Sequence, residues 1–261
     1  MMLTSFSKVL EKALCKGLVE HINKYNTRIL NGQQFGFRKG LTTEVAIFNL
    51  THEILNAFNS KALVGSIFYD LQKAFDSVNH SLLLQKLSFY CITGKSKMLI
   101  ESYLANRYQR VQLDNSILNL NAVSRWSKVK HGAPQGSDLG PLLFLLYIND
   151  LPNAVTHNAL PILFADDTSI LITSHNVHKF QNDLNSAFGQ ITNWFQALII
   201  EHIFKKEQTV PIYIPWKVPI LDPTIPKTQD VNTEGENNES AQSFQHRTKC
   251  PTCRNPDFLW T

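Results

Sequence analysis

Leu3, Phe6, Val9, Leu10, Leu14, Leu18 and Ile22 recur at the spacing that lines up apolar side chains on one face of an α-helix. A second helical pattern runs through Val45, Ile47, Phe48, Ile54, Leu55 and Phe58, and Thr42 or Thr43 stands where a hydroxyl would cap its first turn. Between the two, Asn31-Gly-Gln-Gln-Phe-Gly-Phe-Arg-Lys-Gly40 is punctuated by glycine and predicts a loop or turn. Ala62 to Tyr69 is short, apolar and partly β-branched, the pattern of a buried strand, and it ends at Asp70.

Further on, helices are expected from about Ser81 to Tyr90 and from about Lys95 to Ala105, then extended segments near Arg107 to Leu113 and Ile117 to Val129. Pro141 to Asp150 predicts a buried helix after the loop His131 to Gly140, with Pro152 ending it. Leu160 to Ala165 and Thr168 to Thr173 are two β-rich runs separated only by Asp166-Asp167, a hairpin pattern. Helical spacing returns at Phe180, Leu184, Phe188, Ile191 and Phe195. Soon after Ala197 the pattern fails. Prolines crowd positions 211, 215, 219, 223, 226, 251 and 256, and Gln229 to Gln245 is polar with few apolar anchors. Such a stretch buries too little surface to offset chain entropy, so 207–261 is expected to be a disordered or poorly folded tail.

Composition adds that 43% of the 261 residues are apolar, enough for one large core or two small ones. The longest apolar run, Leu142 to Ile148, is too short to span a bilayer, so no membrane partner is expected. The first residues lack the basic and apolar regions of a secretory signal, and the four cysteines show no disulfide-framework spacing. Both suit an intracellular setting, nuclear or cytoplasmic. The net charge of +4 is uneven, because 207–261 holds five Lys/Arg against seven Asp/Glu and leaves +6 on 1–206. Lys95, Lys97, Arg107, Arg110, Arg125, Lys128 and Lys130 outnumber Glu101 and Asp114 over one stretch, an excess that suits a phosphate backbone or forms a solvated face.

Asp166 and Asp167 carry the sharpest chemical signal. Neighbouring carboxylates between apolar strands repel each other and cost stability unless a cation neutralises them, although aspartates at turns are also common. A second strand delivers Asp70 at its end, and if the two elements are neighbours in one sheet their carboxylates converge. Magnesium takes oxygen ligands, keeps several waters and binds through one or two carboxylates plus substrate phosphates. Two such ions predict phosphoryl or nucleotidyl transfer, and on this reasoning a two-metal nuclease fits nearly as well as a polymerase.

Four blocks, in order, then carry a family resemblance. Asn31 to Gly40 resembles the fingers motif of non-LTR (LINE-type) retrotransposon reverse transcriptases. Ile67-Phe-Tyr-Asp-Leu-Gln-Lys-Ala-Phe-Asp-Ser-Val-Asn-His80 resembles the motif with their first catalytic aspartate. His131-Gly-Ala-Pro-Gln-Gly-Ser-Asp-Leu-Gly140, continuing to Asp150, resembles their template- and nucleotide-positioning motif, and Phe164-Ala-Asp-Asp167 the motif with the remaining aspartates. The resemblance covers about Leu3 to Ala197. It implies an α/β (α+β) fold: a right-hand polymerase palm with partial fingers, an antiparallel palm sheet packed on helices, and no thumb. Residues 1–206 would form the fingers/palm domain, with fingers mainly at 1–65 and about 85–130.

It further implies that Asp70, Asp166 and Asp167 are the catalytic, metal-binding carboxylates for two Mg2+ ions, with Mn2+ as a substitute, while Asp76 serves a turn. Phe75 would stand where a ring crowds a ribose 2′-hydroxyl, or pack in the core. Gln135 and Gly136 would approach nucleotide and template, Arg38 and Lys39 would meet template phosphates, and Tyr69 would support the site. The implied partners are an RNA template, a DNA or RNA primer and deoxynucleoside triphosphates, with no protein partner. The sequence departs from the family before Leu3 and after Ala197, where elements that grip triphosphate and primer are expected, so the chain reads as truncated at both ends. The alternative is a catalytically inactive retrotransposon remnant that at most binds nucleic acid.

Overall fold

The computed structural model describes residues 5–24, 29–71, 73–115, 120–134, 136–156, 159–198 and 212–214. Its first helix, α1 (Ser5–Lys24), buries Leu14, Leu18 and Ile22, as the apolar spacing requires. Helix α2 (Thr43–Asn59) starts where Thr42 Oγ1 accepts a hydrogen bond from Val45 N, so the first of the two candidate caps does the work. Strand β1 (Leu63–Tyr69) follows, then a 3-10 turn (Ala74–Ser77), α3 (His80–Phe89) and α4 (Gly94–Leu104).

The extended middle segment divides into two short antiparallel ladders. Strand β2 (Tyr108–Gln109) pairs with β5 (Ser127–Lys128), and β3 (Gln112–Asn115) pairs with β4 (Leu120–Val123). Helix α5 (Gly140–Ile148) is buried along nearly its whole length, as a helix apolar all round must be. It ends at Asn149, ahead of Pro152, and Pro152 instead falls in the first turn of a 3-10 segment (Leu151–Ala154), where its missing N–H is not needed. Strands β6 (Ala159–Phe164) and β7 (Asp167–Ser174) form the expected hairpin, and α6 (Val177–Ala197) buries Phe180, Ala187, Ile191 and Phe195.

Strand β8 (Ile212–Ile214) pairs with the outer edge of β1, completing an antiparallel sheet of order β6-β7-β1-β8. These three residues lie within the stretch expected to be an unstructured tail; the rest of 207–261 lies outside the described residues. Helix α2 packs on β1 and β6, and α6 on β1 and β7. Because both faces of β1 are covered, its residues are buried without the alternation of a half-exposed strand. Ile67, Tyr69, Ile170 and Ile172 join α3, α5 and α6 in the main core, whereas Val64 and Leu171 join Ala57 and Ala62 on the α2 side. The main core also holds a buried cation. Lys86 Nζ on α3 reaches Asp150 at 2.5 Å and donates to the Tyr147 carbonyl at 2.7 Å. It also lies over the rings of Tyr147 and Trp194.

Candidate active site

Asp70, Asp166 and Asp167 occupy neighbouring positions where β1 ends and β7 begins. The β1–β7 register runs to Tyr69↔Thr168, so Asp70 emerges beside Asp167, and Asp166 occupies the turn that joins β6 to β7. Burial pushes the Asp167 carboxyl above its usual range, and the negative charges of Asp166 and Asp70 push it further. The three groups therefore share one field, while Asp70 and Asp167 remain open to solvent. Asp76 lies in the 3-10 turn, its backbone packed against Gly132. Tyr69 points the other way, into the core, where its ring meets Phe188 and Phe195 of α6 and burial raises its pKa.

Among the described residues no group of three His, Cys, Asp or Glu side chains is arranged to hold a metal ion by itself. The all-oxygen donor set at an open strand end fits magnesium, which completes its shell with water and substrate phosphates.

Beneath the carboxylates lies the glycine-punctuated loop. Phe35 N donates to Leu163 O and Leu163 N to Gln33 O, both at 2.8 Å, which adds Gln33 to Phe35 to the free edge of β6. The buried Gln34 side chain then reaches past that edge to the acidic turn. Its Oε1 accepts from Ala165 N at 2.9 Å and Gly36 N at 2.8 Å, and its Nε2 donates to Ala165 O at 3.2 Å. Gly36 packs so closely that a Cβ there would stand 2.2 Å from Ala165 N. Asn149, just past α5, anchors the start of the loop by accepting from Asn31 N at 2.8 Å.

Arg38 Nη1 donates to Asn31 O at 2.8 Å and Gln34 O at 2.9 Å, so this group braces its own loop, and burial lowers the guanidinium pKa. Lys39 is exposed. The site expected from the resemblance thus splits, with Lys39 presented to solvent and Arg38 turned inward.

The loop before α5 is tied to the segment after Asp70. Gly132 N donates to Val78 O and Ala133 N to Phe75 O, each at 2.8 Å, and His80 Nε2 donates to Gly132 O. Gly136 has φ +76 and open space around it, a conformation and a clearance that glycine provides. Gln135 lies outside the described residues. Phe75 is half buried, stacked on Phe144 with ring centres 4.4 Å apart and edge-on to Phe37 at 5.9 Å, so core packing accounts for one face of its ring.

Glu11 of α1, 2% exposed, accepts from Asp138 N at 3.0 Å and Tyr103 Oη at 3.1 Å, which pins the same loop from below. The sequence reading passed over Gln34, Glu11 and Asn149. For Glu11 a signal existed, a carboxylate in phase with the buried Leu14, Leu18 and Ile22; nothing local marks Gln34.

A basic, aromatic surface lies on and around the small ladders. Arg110 lies over the Trp126 ring at 4.8 Å and Arg107 over Tyr103 at 5.2 Å, while Tyr108, Trp126, Arg125, Lys128 and Lys130 are exposed.

This arrangement has solved counterparts. Apo telomerase from Candida tropicalis truncated from its C-terminal domain superposes with a TM-score of 0.52 at 16% identity, over 77% of this chain and 40% of that one. A second structure of apo telomerase from the same species gives 0.52 at 14% identity, over 79% and 37%. The mixed helix and antiparallel-sheet fold is therefore one that these telomerases share.

The family model described as reverse transcriptase (RNA-dependent DNA polymerase) matches residues 1–209, and the chain belongs to that family. Curated relatives include proteins of Drosophila mobile elements. The probable RNA-directed DNA polymerase from transposon BS of Drosophila melanogaster is 32% identical over 77% of this chain and 22% of its own length. The RNA-directed DNA polymerase from mobile element jockey of Drosophila funebris is 30% identical over 74% and 21%. The chain spans about a fifth of the length of these relatives.

Proposed function

We propose that the chain is the fingers-and-palm part of an RNA-directed DNA polymerase, extending a primer 3′-hydroxyl with deoxynucleoside triphosphates on an RNA template. The observation that supports this reading is the strand register that sets Asp70 beside Asp167, with the charges of Asp166 and Asp70 near enough to help raise the Asp167 pKa. Residues 1–206 form the fingers/palm domain in this reading, with β1, β6 and β7 as palm sheet and the fingers mainly at 1–65 and about 85–130.

Asp70 and Asp166 would hold the divalent ions, magnesium or manganese in its place, with Asp167 beside them; bound there, the ions would supply positive charge that favours ionisation of a primer hydroxyl and offsets the charge of a departing pyrophosphate. The protein's own groups orient the reactants. The Phe75 ring face not covered by Phe144 crowds a ribose 2′-hydroxyl. Gln135 and Gly136 lie against the nucleotide and template, and the positive φ of Gly136, which glycine adopts freely, permits close approach. Lys39 meets template phosphate. Arg38 contributes its charge while holding the loop, and the Arg110–Trp126 and Arg107–Tyr103 pairs give the template strand cations and ring faces.

Purified chain is assayed for magnesium-dependent extension of a primer on an RNA template, against the Asp166→Asn variant. Extension by the parent and its loss in a folded variant is the expected result. Equal extension by both refutes the assignment.

A further inference from the structure

Ala165 has a φ of 57, the left-handed region that an L side chain enters at a cost. In a two-residue hairpin turn the position with positive φ is ordinarily glycine. Here an alanine occupies it, and both of its backbone polar groups are held by the Gln34 side chain, which comes from 131 positions away in sequence. The hairpin does not need this hold for its pairing, because β6 and β7 are registered by their own ladder from Ala159↔Ile172 to Phe164↔Asp167. What the hold does determine is the conformation of the residue immediately before Asp166 and Asp167. Gln34 is 2% exposed and fixed at its base by the Gln33–Phe35 pairing to β6, so the clamp is rigid at both ends.

We propose that Gln34 is a positioning residue for the acidic turn, keeping Ala165 left-handed so that Asp166 and Asp167 present their carboxylates beside Asp70. It acts through the Ala165 backbone and touches no substrate. The inference rests on the polymerase reading for its catalytic consequence, and on geometry alone for the clamp.

Gln34→Met, in the full chain, keeps the buried volume and removes all three hydrogen bonds. Gln34→Glu, which retains the two acceptor contacts and loses the donor, is the second variant should the first not fold. Hydrogen exchange at the Ala165 amide, read by NMR, is expected to speed up about tenfold or more in Gln34→Met and less in Gln34→Glu. Mn2+ affinity at the turn, read by paramagnetic broadening, is expected to fall several-fold. In single-nucleotide incorporation kcat should fall with it, while KM for primer–template stays within about twofold of the parent. Adding Ala165→Gly to Gln34→Met should restore much of the Mn2+ affinity, since glycine enters the left-handed region freely.

Unchanged Ala165 exchange, or unchanged Mn2+ affinity in a variant whose exchange has risen, overturns the proposal. Parent Mn2+ broadening that is indifferent to Asp166→Asn overturns the polymerase reading instead, and the exchange measurement still judges the clamp.

Discussion

An alanine at position 36 would collide with the acidic turn, and the cost can be worked from the contacts. Its Cβ would lie 2.2 Å from Ala165 N and 2.8 Å from Ala165 Cα, main-chain atoms already held in place, and 3.0 Å from Ala165 Cβ. To reach ordinary contact the loop must retreat by about 1.2 Å, since carbon and nitrogen do not approach within about 3.4 Å without repulsion. That retreat carries the 2.8 Å bond from Phe35 N to Leu163 O and the 2.9 Å bond from Ala165 N to Gln34 Oε1 beyond hydrogen-bond length. With each bond worth about 1 kcal/mol and the released groups left partly buried, Gly36→Ala should destabilise by roughly 2–4 kcal/mol.

For a domain of this size that lowers Tm by about 5–15 °C. Gly32→Ala is the internal control: Gly32 lies in the same loop, has no positive φ, and a Cβ there meets nothing within 4 Å. Its effect should stay within about 0.5 kcal/mol. Urea titration with thermal melts measures both. Equal stability of the two variants would refute the account of the loop as a close-packed support for the turn.

Three further outcomes are expected. Because Asp167 has its pKa raised, ionising it costs stability as pH rises from the unfolded value through the raised one. Asp167→Asn should therefore be more stable than the parent near neutral pH without divalent ions, with the gain fading below about pH 4, and melts across that range that show no gain would contradict the repulsion. Asp150→Ala should cost roughly 3–5 kcal/mol by stranding the buried Lys86 charge. The loss should shrink as alkaline pH discharges Lys86, whose pKa burial already lowers, and Lys86→Met in the same chain should recover most of it; a pH-independent loss would show that charge is not the cause. Trp126→Ala and Arg110→Ala should each weaken single-stranded RNA binding, by about 1–3 kcal/mol for the ring, and Arg110→Ala should flatten the salt dependence. Unchanged binding would remove the small ladders from the nucleic-acid surface.

The sequence alone determined the helices α1, α2 and α6, the buried α5, and the β6–β7 hairpin, because apolar periodicity and turn chemistry are local and the structure has no reason to override them. It also determined the identity of the acidic residues and, through four motifs in order, the family, since chemistry of that kind depends on residue type. It could not determine that β7 lies beside β1, which is what brings Asp70 to Asp167: strand pairing is settled by which faces α2 and α6 cover. Nor could it separate Arg38 from Lys39, two adjacent cations that differ only in which carbonyls the folded loop places within reach. Gln34 is the extreme case. Its amide has meaning only once a loop from near the start of the chain lies under a turn 131 residues later, a long-range contact that no local pattern encodes and that tertiary packing alone creates.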